Sequence, residues 1–394
     1  MISKATIQQL AKQFASKSQA IREYLHQHPE LSFEETKTAA YVAQQLNDVG
    51  IAFTPNVAGN GIVATIEGVN PTSKCIALRA DLDALPINEI SNKPYASKTP
   101  GIMHACGHDM HTACLLGALA VLNETKTAWQ GTIKAIFQPA EEKLPGGASL
   151  MIKEGVLKNP TVDKIVAQHV FPELEAGKVG FRPGMYMASC DEIYITVNGK
   201  GGHGAMPHQC IDPVYIASQL VVEFQQIISR FLDPTIPGVI SFGKFIAEGA
   251  TNVIPSKVEL AGTFRMLNED WRAKIHQKMH DLVDATAQAT GAKIDLNIAK
   301  GYPYLENDDQ LTIALKEHAK AYLGEENVID LPIRMTGEDF AFYTHEVPGC
   351  FYRLGVRNEA KGIVHPVHHP QFDVDEKAYE TGVGLMAWLA IHSN

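Results

Sequence analysis

Between residues 104 and 111 the chain reads HACGHDMH, which crowds His104, Cys106, His108, Asp109 and His111 into a few turns of backbone. Thiolate, imidazole and carboxylate together are the donor set of Zn²⁺ or a similar first-row divalent ion. Further reactive groups follow apolar runs: Asp81 and Asp83 come directly after KCIALRA, Glu141 and Glu142 after GTIKAIFQPA, and His169 at the end of IVAQH. Singly, each has a bland explanation: a turn cap, a solvated acidic pair, a core histidine. Jointly they mark a site, because an open α/β sheet delivers residues distant in sequence to the crevice outside the carboxyl ends of its strands. Adjacent glutamates allow one carboxylate to bind metal while the other faces a water. That pairing suits hydrolysis, since a bound divalent ion lowers the pKa of water to about 7 and a non-ligand Glu can move its proton to a leaving nitrogen. A structural zinc finger would need paired, regularly spaced ligands in a small domain, and neither is present.

The elements that must hold these residues alternate. Helix periodicity covers 4–26 and 34–49, strands are expected at 61–68, 74–80, 131–138 and 163–170, a helix follows CGH through CLLGALAVL, and a short helix lies near 147–153. This is an α/β pattern with a mixed, largely parallel sheet flanked by helices. Near residue 190 the grammar changes to EIYITVNG, a helix from Asp212 to about Phe231, GVISFGKFIAEG, KVELAGTFRML, a helix from Glu269 to Thr290, and KIDLNIAKG. That order is βαββαβ, a ferredoxin-like split unit. After Gly301 the α/β grammar returns, with a helix over 308–323, a strand over 350–356 and a final helix over 375–391. The expected organisation is a first domain over 1–188 and 301–394, interrupted by an inserted domain over 189–300.

Composition narrows the partners. The 394 residues are 45% hydrophobic and 20% charged, with a formal net charge of −10, which describes a globular protein and supplies no basic footprint for nucleic acid or an acidic membrane. The first 25 residues alternate charge and apolar groups, and no later run reaches membrane-spanning length, so cytoplasmic residence is expected. Six scattered cysteines without CxxC pairs argue against disulfides.

Several stretches in order and spacing resemble the M20 peptidase family: HQHPELSFEE (26–35), LRADLDALP (78–86), HACGHDMHTA (104–113), FQPAEE (137–142), AQHVFP (167–172), GKGGHGAMPH (199–208), TNVIP (251–255), GTFR (262–265), TGEDFAFY (336–343) and HHPQFD (368–373). The similarity is to its amidohydrolase branch, which includes N-acyl-amino-acid amidohydrolases, hippurate hydrolases, auxin-conjugate hydrolases and N-acetyldiaminopimelate deacetylases. The resemblance implies a zinc-exopeptidase-like catalytic domain and an inserted lid and dimerisation domain. It further implies two divalent metal ions (Zn, Mn, Co or Ni) held by Cys106, His108, Glu142, His169 and His368. His104, Asp109 and His111 then support or pack nearby. Glu141 becomes the general base and Asp83 the carboxylate that orients site groups, while Asp81 sits where the wider family often has a ligand. His203 resembles a histidine that polarises the scissile carbonyl, from the other subunit in dimeric relatives. Asn252 and Arg265 resemble groups that hold the substrate's polar ends, Arg suiting a carboxylate by its bidentate fork. The motif around His26, His28 and Glu30 is expected to end the first helix, broken by Pro29, and stays outside the site. The expected activity is cleavage of N-acyl amino acids by a homodimer or tetramer. A dipeptidase of the same superfamily and a non-catalytic metal- or conjugate-binding relative are the alternatives.

Overall fold

The computed structural model describes residues 2–393, which fall into two compact units. The first comprises Met1–Gly184, Glu306–Pro332 and Asp339–Asn394. In chain order it opens with helices α1 (Lys4–Gln27) and α2 (Thr36–Asp48), strands β1 (Ala52–Val57), β2 (Gly61–Glu67) and β3 (Cys75–Asp81), and helix α3 (His108–Glu124). Strand β4 (Thr132–Gln138), helix α4 (Gly147–Lys153) and strands β5 (Lys164–Glu175) and β6 (Val179–Phe181) follow. Its eight-stranded sheet runs β1-β2-β4-β3-β5, then Gly349–Arg357, β6 and Val328–Asp330. The pairings of β3 with β4 and β5, of Gly349–Arg357 with β5, and of Val328–Asp330 with β6 are parallel; those of β2 with β1 and β4, and of Gly349–Arg357 with β6, are antiparallel.

Every residue of β3 and β4 is buried, which is why these strands read as continuous apolar runs rather than alternating ones. Helix α3 is buried from His108 to Leu122 and packs with α1 and the last helix, Lys377–His392. The close approach needs Gly117, where a Cβ would meet Ser18 Oγ at 2.4 Å and Val383 Cγ2 at 2.6 Å. Two features differ from the sequence expectation. The strand carrying His169 continues to Glu175 because its parallel partner continues alongside, pairing Arg353 with His169 and, past a bulge, Arg357 with Glu175. The exposed strand β1 and the three-residue strands β6 and Val328–Asp330 carry too little apolar periodicity to be legible.

The second unit comprises Met185–Leu305 with Ile333–Glu338. Its four-stranded antiparallel sheet is ordered Gly238–Ile246, Lys257–Met266, Asp191–Asn198, Lys293–Lys300, with helices Pro213–Gln226 and Glu269–Thr290. Strand Asp191–Asn198 alternates buried and more exposed positions, as a sheet with one packed face requires. Ile193, Val197, Leu220, Phe224, Leu260, Phe264, Ile275 and Met279 form its core. Asp212 caps the first helix by accepting from Val214 and Tyr215 N–H, with Pro213 as the first helical residue. The first helix runs on into a π turn at Ile227–Phe231. Asp191 is buried and accepts from Arg272 Nε at 2.8 Å, His276 Nε2 at 2.7 Å and Gly301 N at 2.9 Å. Among the described residues no helix is long and apolar enough to cross a membrane.

Candidate metal centre

The HACGHDMH stretch enters helix α3 through Gly107, whose φ is 86°. A Cβ there would also lie 2.5 Å from Val170 Cγ2, so glycine is required twice over, by its backbone and by the packing. This bend places the Cys106 and His108 side chains together. Cys106, His108 and His169 each offer one donor atom, all within 4.8 Å of one another, and so do Cys106, Glu142 and His368. The two triads share the Cys106 sulfur. His169 Nε2 is 3.5 Å from Cys106 Sγ, and His368 Nε2 is 3.3 Å from Glu142 Oε1. Glu141 belongs to neither of these triads but stands with His108 and Glu142 in a third cluster, its Oε2 3.9 Å from His108 Nε2. His368, at φ 66°, is held by its N–H to Ala105 O at 2.7 Å. His369 instead stacks on His365, with ring centroids 4.2 Å apart.

Two of these histidines are fixed from behind. His108 Nδ1 lies 2.8 Å from Asp83 O and 3.2 Å from Asp83 Oδ1, and His169 Nδ1 lies 2.8 Å from Val170 O. In both, the bonded Nδ1 leaves Nε2 directed at the cluster, the arrangement metal-binding histidines use. Asp83 Oδ2 accepts in turn from Ser32 Oγ at 2.6 Å and from Glu142 N at 3.0 Å.

The electrostatics differ from one donor to the next. Burial, followed by the Glu142 carboxylate, pushes the Cys106 thiol up. Burial opposes charge on His108, yet Asp81, Cys106 and Asp83 hold its pKa well above the usual value. Hydrogen bonds to Cys106 and Glu142 lift His368 to about 10. Burial, and after it the charge of Arg353, holds His169 well below the ordinary range. His108 Nε2 is buried without a hydrogen-bond partner, and Glu142 Oε1 has only His368 Nε2, 3.3 Å away. Unsatisfied buried donors and acceptors are costly, and a soft and hard donor set converging on two points fits a pair of divalent cations.

Asp81, by contrast, is already engaged. Its oxygens meet Arg79 Nη1 and His111 Nδ1, each at 2.6 Å, and its backbone carbonyl accepts from Thr112 Oγ1 at 2.7 Å. His111 Nε2 then accepts from Val170 N at 2.9 Å, which ties Asp81 to the backbone beside His169. Asp109 Oδ2 takes Arg22 Nε and His26 Nδ1, both at 2.7 Å, and Arg22 continues to Asp373 at 3.2 Å. The chain near His26 therefore ends α1, as expected from sequence, and also joins the segment carrying Cys106 to the segment carrying His368. His104 is fully buried, without a hydrogen-bond partner for either ring nitrogen, and burial lowers its pKa to about 4. Arg22, Ser32 and Arg79, which brace Asp109, Asp83 and Asp81, and Glu35, which accepts from Ala140 N, carry no signal in the sequence beyond lying inside or beside HQHPELSFEE and LRADLDALP.

In the second unit His203 and Asn252 come together on a ribbon in which Gly202–His203 pairs with Val253–Ile254. Gly204 N donates to Asn252 O at 2.8 Å, and Ala205 N to His203 Nδ1 at 3.1 Å. Both side chains are exposed. Arg265 lies on strand Lys257–Met266, opposite Val239.

Residues 77–392 match the family described as peptidase family M20/M25/M40. The chain is 40% identical to the N-acetyl-L-cysteine deacetylase of Bacillus subtilis, over 91% of this chain and 83% of that protein. It is 41% identical to the N-acyl-L-amino acid amidohydrolase of Geobacillus stearothermophilus, over 78% of this chain and 83% of that one. Among solved structures it resembles the Bacillus subtilis YXEP protein, described as a dinuclear metal binding peptidase from the M20 family, at 34% identity and a TM-score of 0.82, covering 96% of this chain and 98% of the other.

Proposed function

The chain belongs to peptidase family M20/M25/M40 and is a hydrolase of amide bonds, and on that premise we propose that it cleaves N-acyl amino acids to a carboxylate and a free amino acid. The observation that carries this reading is the pair of donor triads sharing Cys106, with Glu141 beside both and part of neither. In the proposal Cys106, His108 and His169 would hold one divalent ion, and Cys106, Glu142 and His368 would hold the other. Such ions supply Lewis acidity toward the amide carbonyl and acidify a nearby water.

The chain's own groups do the rest. Glu141, 6% exposed, takes a proton from the attacking water and delivers it to the leaving nitrogen, so one carboxylate serves as base and then as acid. Asp83 keeps His108 from turning, through both its carbonyl and its carboxylate. We assign His203 to the developing oxyanion and Asn252 and Arg265 to the polar ends of the substrate, Arg265 offering a fork that matches a carboxylate. A homodimer, with the second unit as lid and contact surface, completes the proposal.

A panel of N-acetyl, N-benzoyl, N-succinyl and indoleacetyl amino acids beside simple dipeptides, assayed after loading with Zn²⁺, Mn²⁺, Co²⁺ or Ni²⁺, tests it. Turnover should favour one or more acyl amino acids. Faster release of amino acids from the dipeptides than from every acyl conjugate would replace this reading with a dipeptidase.

A further inference from the structure

Glu35 stands at the entrance to α2 yet makes no capping bond to that helix. Its side chain is fully buried and turns the other way. A single oxygen, Oε1, accepts from Phe33 N at 2.9 Å and from Ala140 N at 2.8 Å, while Oε2 accepts from Asn60 Nδ2 at 3.0 Å. Both residues whose N–H it takes are in the left-handed region, Phe33 at φ 71° and Ala140 at φ 49°. That region is disfavoured for any residue carrying a Cβ, and more so for one that is not Asn or Asp. Something outside the turn must hold it there.

Ala140 immediately precedes Glu141 and Glu142, so its backbone angle sets the direction in which both carboxylates leave the end of β4. Its carbonyl is held as well, accepting from Gly147 N at 2.9 Å, in a turn so tight that a Cβ on Gly147 would sit 1.8 Å from Pro139 O. At the far end of the same turn, Glu142 N donates to Asp83 Oδ2, the oxygen that also receives Ser32 Oγ. Two residues of the HPELSFEE segment thus grip the start and the end of residues 140–142.

We propose that Glu35 is a positioning residue for the glutamate pair: by accepting the Ala140 N–H it keeps the turn left-handed and so aims Glu142 at its ion and Glu141 at the reacting water, with Ser32 steadying the other end through Asp83. The inference rests on the reading above that these two glutamates carry the chemistry. It separates from a merely structural role because only one donor triad contains Glu142. Losing Glu35 should loosen one ion and spare the one held by Cys106, His108 and His169.

The test uses full-length Glu35→Ala and Glu35→Gln, each stripped by chelator and titrated with Co²⁺ while visible absorbance, far-UV circular dichroism and steady-state kinetics are followed. For Glu35→Ala the first Co²⁺ equivalent should bind as in the unsubstituted protein and the second about 10–100-fold more weakly, the usual cost of removing an outer support. The kcat should fall by a similar factor, with KM changed less than about threefold, as for a group that acts on the reacting centre rather than on ground-state binding. Glu35→Gln retains one acceptor oxygen for the Phe33 and Ala140 N–H groups, though its amide nitrogen loses the bond from Asn60 Nδ2, and it should bind the second equivalent more tightly than Glu35→Ala does. Two tight equivalents and normal kcat in Glu35→Ala would overturn the proposal, as would equal losses in Glu35→Ala and Glu35→Gln. If Glu35→Ala fails to fold, Glu35→Asp, whose carboxylate is withdrawn by one methylene, is judged by the same criteria. An unsubstituted protein inactive on every acyl amino acid would sink the assigned reaction, yet the Co²⁺ titration would still decide the role of Glu35.

Discussion

Cys106, His108 and His169 are buried, and the two histidines are tied from behind by Asp83 and Val170; His203 and Asn252 stand exposed on a ribbon whose strands are two residues long. The first arrangement fixes donor atoms before anything binds. The second leaves the His203 and Asn252 side chains open to solvent. Preorganisation thus belongs to the first unit, and contacts that strengthen only during reaction suit the second. The second unit is not simply looser, since Asp191 gathers Arg272, His276 and Gly301 in its interior. Its rigidity lies away from its exposed candidates.

The contrast can be broken most severely by taking the metal away. Chelation should abolish turnover, and added Zn²⁺ or Mn²⁺ should restore it, while far-UV circular dichroism hardly changes, because a chain of this size buries its own core. Cooperative unfolding on chelation would show that the rigidity is borrowed from the ions. Next in size, Glu141→Gln should retain metal and lose about 10²–10⁴-fold or more in turnover, and metal analysis beside kinetics checks both halves. His203→Ala should lower kcat by about 10²–10³-fold, leaving metal content intact; a drop in metal content instead would erase the division of labour between the units. Asp83→Ala should weaken metal binding or activity by about 10–100-fold, seen by competition with a chelating dye.

The smallest effect concerns acid. Arg272 and His276, working against burial, lower the Asp191 pKa to about 2. A depressed carboxylate stabilises the fold at neutral pH and loses that contribution as pH falls from about 4, the unfolded value, through about 2, so it accounts for about 2 kcal/mol. Asp191→Asn should therefore lower stability at pH 7 and flatten its decline in that interval, measured by urea unfolding at a series of pH values.

The same contrast explains what could be read in the sequence. Strands β3 and β4 announce themselves because they are buried on both faces, and Asp83, Glu141 and Glu142 were legible because they follow those strands directly. The brackets behind them were not. Arg22 meets Asp109 across 87 positions, Ser32 meets Asp83 across 51, and Glu35 meets Ala140 across 105, and no local period encodes a partner so distant. Spacing likewise could not separate Cys106 and His108 from their neighbours in HACGHDMH; the resemblance did. For Asp81 neither sufficed, since its engagement by Arg79 and His111 is a matter of three-dimensional neighbours.

Strand Gly349–Arg357 lies inside the sheet, between β5 and β6. During synthesis, a chain that has emerged only as far as the second unit must wait with β5 lacking that neighbour, an open edge able to recruit other strands. The second unit, most of it one continuous stretch, can meanwhile complete its own sheet. His368 follows the late strand, so the proposed donor set can assemble only after that strand has been made, and premature termination anywhere before residue 349 yields a product that lacks both an inner strand of the sheet and His368.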